Sequence, residues 1–341
     1  MRQAASRLAV PGEVFRSARD LEHRYPLPQI EDVDGDGRPD LVFRDPVKRW
    51  RSVWVARNAG RGKFLPAVEI VLGAGDPHAP NPVWLGDLDG DGHATVVFRQ
   101  SLDDPKRGSL RQEMAKAREP HGRLTFRRLA KELTLEKTAY RTLDIVGWGG
   151  WGLEGTATDS GDGGEIQLPG GFVDLNGDGR PDLLTVTMDL GLPKLLGSLA
   201  TKRLNVGLDY HVWCQEKDGG FRAVKGLDLS GNFRLDLNDL RVSQLSLFSG
   251  DFDGDGRADF VQLGRGKRVT IHRGRADCSF PAAPDLSFDL REEPRDLSLV
   301  RIGDLDGDGR ADLYIVTPQR AAEEGFVPPV RLDLYLSGGA K

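Results

Sequence analysis

The sequence predicts an all-β protein built from repeated four-stranded units, and three observations carry that prediction. Glycine and proline are abundant, at 43 and 20 of 341 residues, while apolar residues make up only 38%. That balance suits short strands joined by tight turns and does not suit a helical bundle. An acidic stretch of nine residues recurs five times, as "DVDGDGRPD" from Asp32, "DLDGDGHAT" from Asp87, "DLNGDGRPD" from Asp174, "DFDGDGRAD" from Asp251 and "DLDGDGRAD" from Asp304. Short apolar runs flank every copy, in the alternating pattern of half-buried strands.

The elements follow from these flanks. Before the acidic stretches stand "PLPQI", "NPVWLG", "PGGFV", "LSLFSG" and "LVRIG"; after them stand "LVFRD", "VVFRQ", "LLTVTM", "FVQLG" and "LYIVT". Further on come an alternating segment, a polar turn and a segment that opens on Phe in most copies, as in "SVWVARNAGRGKFLPAVEI" and "YHVWCQEKDGGFRAVKGLDL". Each module therefore reads strand, acidic loop, strand, turn, strand, turn, strand. Trp54, Trp84 and Trp213 fall inside these strands and are expected in the core.

The copies start 55, 87, 77 and 53 residues apart. The shortest intervals match the ~50 residues of a four-stranded propeller blade. The expected architecture is a single β-propeller domain over residues 1–341 with about five blades; the two long intervals leave six or seven open. The last module stops one strand short, at "VRLDLYLSGG", and the N-terminal "GEVFRSARDLEH" resembles the missing strand. Pairing of the two would close the ring and hide the exposed sheet edge. Residues 138–168 are Gly-rich, do not alternate, and are expected to form an insertion between blades.

The loops raise a charge problem. They hold 18 of the 52 Asp and Glu residues, so the chain's net charge of −5 belongs to them and the remainder is basic. Carboxylates packed into one tight turn repel unless something neutralises them. In each copy, positions 1, 3 and 5 fall on one side of the turn, glycines at positions 4 and 6 permit its positive φ, and position 9 returns a fourth oxygen donor. Oxygen-only sites rich in carboxylate select hard cations, and calcium, with six to eight ligands in a flexible cage, fits best. An EF-hand needs Glu at position 12; here that position holds Phe43, Phe98, Thr185, Gln262 and Ile315, all on expected strands.

The expected ligands are Asp32, Asp34, Asp36 and Asp40 in the first copy, and Asp87, Asp89 and Asp91 in the second. They continue with Asp174, Asn176, Asp178 and Asp182 in the third, Asp251, Asp253, Asp255 and Asp259 in the fourth, and Asp304, Asp306, Asp308 and Asp312 in the fifth. The second copy departs from the rule, with Thr95 at position 9 and His93 where the others carry Arg, and is expected to bind weakly or not at all. Four or five calcium ions are thus expected.

The repeated motif resembles the FG-GAP/VCBS family of calcium-binding β-propellers, the fold also found in integrin α-subunit heads. "FVDLNGDGRPDLL" is the best match to the bacterial repeats, and the resemblance runs from about residue 27 to the end. It implies ligation by positions 1, 3, 5 and 9, secretion, periplasmic location or surface display, and interaction with proteins or glycans. It fixes no partner, because one fold hosts many functions. Calcium sites of the structural kind fill at extracellular concentrations, on the order of 10⁻³ M.

Other function classes find little support. A net charge of −5 gives no bulk case for nucleic acid, and no stretch reaches the ~20 apolar residues of a membrane span. The start, "MRQAASRLAVPGEVF", lacks the apolar core of a signal peptide; removal of an export signal, with a Met supplied, is the favoured reading. The histidines, at 23, 78, 93, 121, 211 and 272, form no zinc motif, and no nucleophile elbow or phosphate-binding loop stands in context. A recognition scaffold, working as a monomer, is the expected function. The alternative is a glycan-active enzyme such as a calcium-dependent polysaccharide lyase, whose Lys, Arg or His base leaves no linear motif. Trp148 and Trp151, flanked by Glu154, Asp159, Asp162 and Glu165, are the candidate ligand-binding residues, because exposed aromatics stack on sugars and anchor protein partners. Plugging a channel or covering a blade is the competing reading. Cys214 and Cys278 allow either an inter-blade disulfide or two buried thiols. The basic segment 116–137 is read as a solvated outer hairpin.

Overall fold

The computed structural model describes residues 13–16, 21–24, 28–45, 49–73, 80–103, 108–109, 112, 115, 119–149, 171–189, 197, 201–224, 230–236, 241–248, 250–263, 266–294, 300–318 and 330–338. The fold is all-β, and the chain divides into two compact units. The first comprises Met1–Pro105, His121–Ile145 and Trp151–Gly155; the second holds the remainder.

In the first unit, β1 (Glu13–Arg16) pairs with β2 (Leu21–Arg24) in an antiparallel hairpin. The segment expected to serve as a closing fourth strand is therefore paired with its own neighbour. Local pairing closes only a short loop, which costs little chain entropy. The first blade follows, from β3 (Gln29–Glu31), β4 (Asp40–Asp45) and β5 (Arg49–Ala56); β6 (Asn58–Gly60) and β7 (Lys63–Phe64) form a small hairpin, and β8 (Val68–Val71) completes the sheet in the order β3-β4-β5-β8. The second blade is β9 (Asn81–Asp87), β10 (Ala94–Ser101), β11 (His121–Arg128) and β12 (Arg141–Val146), paired in sequence order.

The second unit carries three blades. The third is β13 (Gly171–Val173), β14 (Asp182–Asp189), β15 (Arg203–Gln215) and β16 (Phe221–Ala223). β15 is 13 residues long: its C-terminal end pairs with β16, and its N-terminal half pairs with β17 (Ser230–Asp236). β17 in turn pairs with β18 (Arg241–Phe248), which opens the fourth blade with β19 (Phe260–Leu263), β20 (Arg268–His272) and β21 (Leu286–Asp289). The fifth blade is β22 (Val300–Gly303), β23 (Asp312–Pro318) and β24 (Val330–Tyr335).

Five blades of a β-propeller are thus present, and every acidic loop joins the first strand of a blade to the second. The long interval between the third and fourth loops adds no blade. Its extra residues lengthen β14 and β15 and build β17. The alternation read from the sequence holds for β11, whose burial alternates along most of its length, but not for the second strands. In β10 the first five residues are all buried, and in β14 the first six. Those strands are covered on both faces, so their sequences run apolar without a break.

The cores sit between the sheets of each unit. Val42, Val53, Val55, Leu85, Val96 and Phe98 pack together in the first. In the second, Leu184, Leu208, Tyr210 and Phe260 anchor one cluster and Val261, Ile271, Leu313 and Ile315 another. Trp213 is buried as expected, while Trp54 and Trp84 are partly buried. Of the two readings for the cysteines, the bridged one holds: Cys214 on β15 and Cys278 in the turn after β20 form a disulfide with a Cα–Cα distance of 5.8 Å. Within the stretch 138–168, residues 141–146 belong to β12. Residues 150–168, Trp151 among them, lie outside the described residues.

Candidate metal centres

Each acidic loop is shaped by its own first aspartate. In the first loop the Asp32 carboxylate accepts hydrogen bonds from the backbone N–H groups of Gly35 (2.9 Å), Asp36 (3.2 Å) and Gly37 (2.8 Å). The same three bonds recur at Asp174, Asp251 and Asp304, and two of them at Asp87. The aspartate at position 5 accepts the N–H of position 7 in all five copies. This wrapping needs left-handed backbone at positions 4 and 6, supplied in the first loop by Gly35 (φ 70°) and Gly37 (φ 79°).

The result is a cage of carboxylate oxygens. One oxygen each from Asp32, Asp34 and Asp36 lies within 4.8 Å of the others, and the same holds for Asp251, Asp253 and Asp255 and for Asp304, Asp306 and Asp308. The sharpest sign of a missing partner is Asp34, whose Oδ1 is buried and accepts no hydrogen bond. A buried carboxylate oxygen without a donor is costly, and a cation in the cage would satisfy it. Only hard oxygen donors are offered, so the residues present fit a calcium ion. In the third loop Asn176 stands at position 3 between Asp174 and Asp178, and its amide oxygen is a neutral donor of the same kind.

Position 9 behaves differently from positions 1, 3 and 5. Asp40, Asp182, Asp259 and Asp312 are fully buried, and each ties the loop to its own blade. Asp182 accepts the N–H of Leu175 at 2.9 Å and that of Gln215 on β15 at 2.7 Å. Asp259 does the same with Phe252 and Gly274, Asp40 with Val33 and Asn58, and Asp312 with Leu305 and Ser337. Burial, against the pull of these N–H donors, pushes Asp182 and Asp259 up to about 6. Asp40 is also raised, again chiefly by burial. The sequence suggested only a fourth ligand at this position; the staple between loop and third strand was visible at most as an aspartate that recurs at the head of a strand.

The second loop is built otherwise. Arg128 on β11 holds Asp91 at 2.6 Å and lies 3.6 Å from Asp89. Asp89 also accepts from the Tyr140 hydroxyl at 3.2 Å and from Arg141 at 3.5 Å. Thr95, at position 9, bonds the same Tyr140 hydroxyl at 3.0 Å. Burial pushes the Asp91 carboxyl up, but the hydrogen bonds from Arg128 and the His93 N–H take it below its ordinary value. Burial likewise pushes the Tyr140 hydroxyl up to about 12, with Asp89 adding to the rise.

Neighbouring loops touch within each unit. A Cβ on Gly35 would collide with the carbonyl oxygen of Gly92, and one on Gly177 with that of Gly256. Of the candidate ligand-binding tryptophans, Trp148 is 36% exposed and its backbone exchanges two 2.7 Å hydrogen bonds with Val186. His211 and His272 are packing residues: the first contacts the Thr187 hydroxyl at 3.1 Å, and the second donates from Nδ1 to the Pro281 carbonyl at 2.8 Å.

The FG-GAP-like repeat model matches residues 32–98 and 251–315. Comparison with curated protein sequences gives no match. Among solved structures, the chain is similar to the Photorhabdus luminescens Tc holotoxin pore, with 17% identity and a TM-score of 0.30 over 90% of this chain and 14% of that one. It is also similar to the rhamnogalacturonan lyase YesW, with 17% identity and a TM-score of 0.34 over 94% of this chain and 51% of that one. The chain thus spans a small part of the first structure and about half of the second. Strand order and loop position are consistent with this match: FG-GAP-like repeats cover residues 32–98 and 251–315, within the blades of a β-propeller.

Proposed function

We propose that the protein is a calcium-braced propeller scaffold that works outside the cytosol and recognises a protein or glycan partner. The observation that carries this reading is the buried, unpartnered Asp34 Oδ1 inside a cage of three carboxylates, a donor set that recurs in the fourth and fifth loops. The metal would organise the turn between first and second strands and perform no chemistry. The Cys214–Cys278 disulfide supports an oxidising location, where calcium is also plentiful. No helix among the described residues is long and apolar enough to cross a membrane.

Calorimetric titration of chelator-stripped protein with calcium tests the reading, together with melts of both forms. About four sites and a clear rise in melting temperature are expected. Absence of binding, with unchanged melting, would remove the metal from the account. Incubation with a panel of acidic polysaccharides separates recognition from lyase activity: retention without any unsaturated product favours the scaffold, and product formation overturns it.

A further inference from the structure

We infer that the second acidic loop is a metal-free copy, in which Arg128 and Arg141 take the place that a cation holds in the others. The inference rests on the calcium reading of the remaining loops and concerns what this chain's own side chains do where the motif degenerates.

Three features separate this loop from its neighbours. First, its aspartate at position 5 is held from the body of the blade. In the first, third and fourth loops the arginine at position 7 pairs with the aspartate at position 5 of the same loop, as Arg38 does with Asp36, Arg180 with Asp178 and Arg257 with Asp255. In the second loop position 7 is His93, and Arg128 reaches in from β11 to both Asp91 and Asp89.

Second, position 3 is saturated. Asp89 receives Tyr140, Arg141 and Arg128, at 3.2, 3.5 and 3.6 Å. Among the described residues its counterpart Asp34 has one guanidinium, Arg57, at 3.8 Å from Oδ2 and nothing on Oδ1. Asp253 has, among the described residues, one exposed guanidinium, Arg273, at 3.3 Å. A cation entering the second loop would have to displace two guanidinium groups of its own sign and break the Tyr140 bond.

Third, the fourth carboxylate is gone. Thr95 is buried and its hydroxyl is engaged with Tyr140, so position 9 adds no negative charge to the three carboxylates that face the two arginines. The clamp and the substitution at position 9 meet in one residue, Tyr140, which bonds both Asp89 and Thr95.

Hydrogen exchange of the full chain, followed by mass spectrometry in calcium and in chelator, tests this. In wild type, peptides covering 32–40 and 251–259 should exchange roughly tenfold more slowly with calcium, and the peptide covering 87–95 should not change. Slowing of 87–95 along with the others would overturn the inference and leave the calcium reading intact. If no loop responds, the calcium reading fails, and the arginine variants then decide the clamp. Arg128→Gln with Arg141→Gln should speed exchange at 87–95 severalfold, with or without calcium, and leave 251–259 as it was. Unchanged exchange at 87–95 in that variant would overturn the clamp whatever the metal does.

Discussion

The first and second acidic loops belong to one compact unit, share the DxDGDG core, and meet where Gly35 packs on the Gly92 carbonyl. They nevertheless resolve the same electrostatic problem in different ways. The first keeps a buried oxygen of Asp34 without a partner and staples its end with Asp40. The second spends its acceptors on Arg128, Tyr140 and Arg141 and ends on Thr95. A motif of clustered carboxylates therefore specifies a need for positive charge, not its source. The source depends on what the third and fourth strands bring to the loop.

The widest gap between the two loops should appear at position 9. Asp40→Ala would leave the buried N–H groups of Val33 and Asn58 without an acceptor and is expected to cost roughly 3–5 kcal/mol. Thr95→Ala loses a single hydroxyl contact and should cost about 1 kcal/mol. Chemical denaturation of both variants measures the difference, and equal losses would show that the Asp40 staple carries no special weight.

A smaller contrast is expected between the glycines at position 4. Gly35→Ala adds a strained φ and a collision with the Gly92 backbone, for roughly 2–4 kcal/mol. Gly90 also has positive φ, but a Cβ there meets nothing within 4 Å, so Gly90→Ala should cost about 1 kcal/mol. Melting temperatures of the pair report whether contact between the loops or backbone conformation alone sets the penalty.

The stapled loops should also carry a pH signature that a threonine cannot. Asp182 and Asp259 sit at about 6 in the folded chain against an ordinary 3.8, so without metal the folded state holds their protons more tightly than the unfolded chain does. Their contribution is complete below about pH 3.8 and is lost as the pH rises through 6. The loss is up to roughly 2–3 kcal/mol for each. Melts in chelator should therefore fall between pH 4 and pH 7, and calcium at pH 7, which favours the ionised carboxylate, should reverse the fall. A flat profile in chelator would mean that the buried staples are not strained by their charge.

The smallest expected effect is that of salt on the clamp. Arg128→Gln should cost about 0.5–1 kcal/mol at physiological ionic strength and less in 1 M salt, because Arg128 and Asp91 are both partly exposed. Loss of the clamp with no effect at either salt level would assign the stability of this loop to Thr95 and Tyr140 alone.

Much of the architecture was legible because the motif punctuates it. The loops marked the junction of first and second strands, the flanking apolar runs gave those strands, and the count of loops equals the count of blades. What escaped depends on residues far apart in sequence. Tyr140 and Arg141 lie more than 50 residues beyond Asp89, and nothing local announces that they return to it. The visible hints were Thr95 and His93, two departures in one copy, which signalled a changed site but not the arginine that changed it. From the repeat alone Asp40 and its counterparts read as ligands; a pattern of acidic residues does not reveal that these carboxylates also accept two backbone amides. The cysteine pairing is undecidable from a spacing of 64 residues and rests on the fold bringing the turn after β20 to β15. The N-terminal segment found a partner closer along the chain than the closing edge expected of it.

β15 has a consequence for how this protein tolerates rearrangement. Repeat proteins gain and lose copies readily when each copy is a separate module. Here one 13-residue strand pairs with β14 on one side and with β16 and β17 on the other, and the third and fourth blades form a continuous nine-stranded sheet, bridged a second time by Cys214 and Cys278. Removing the fourth blade together with β17 would take away the neighbour of Arg203–Asp209 on one side of β15 and leave Cys214 alone. These two repeats should therefore fold and unfold as a pair.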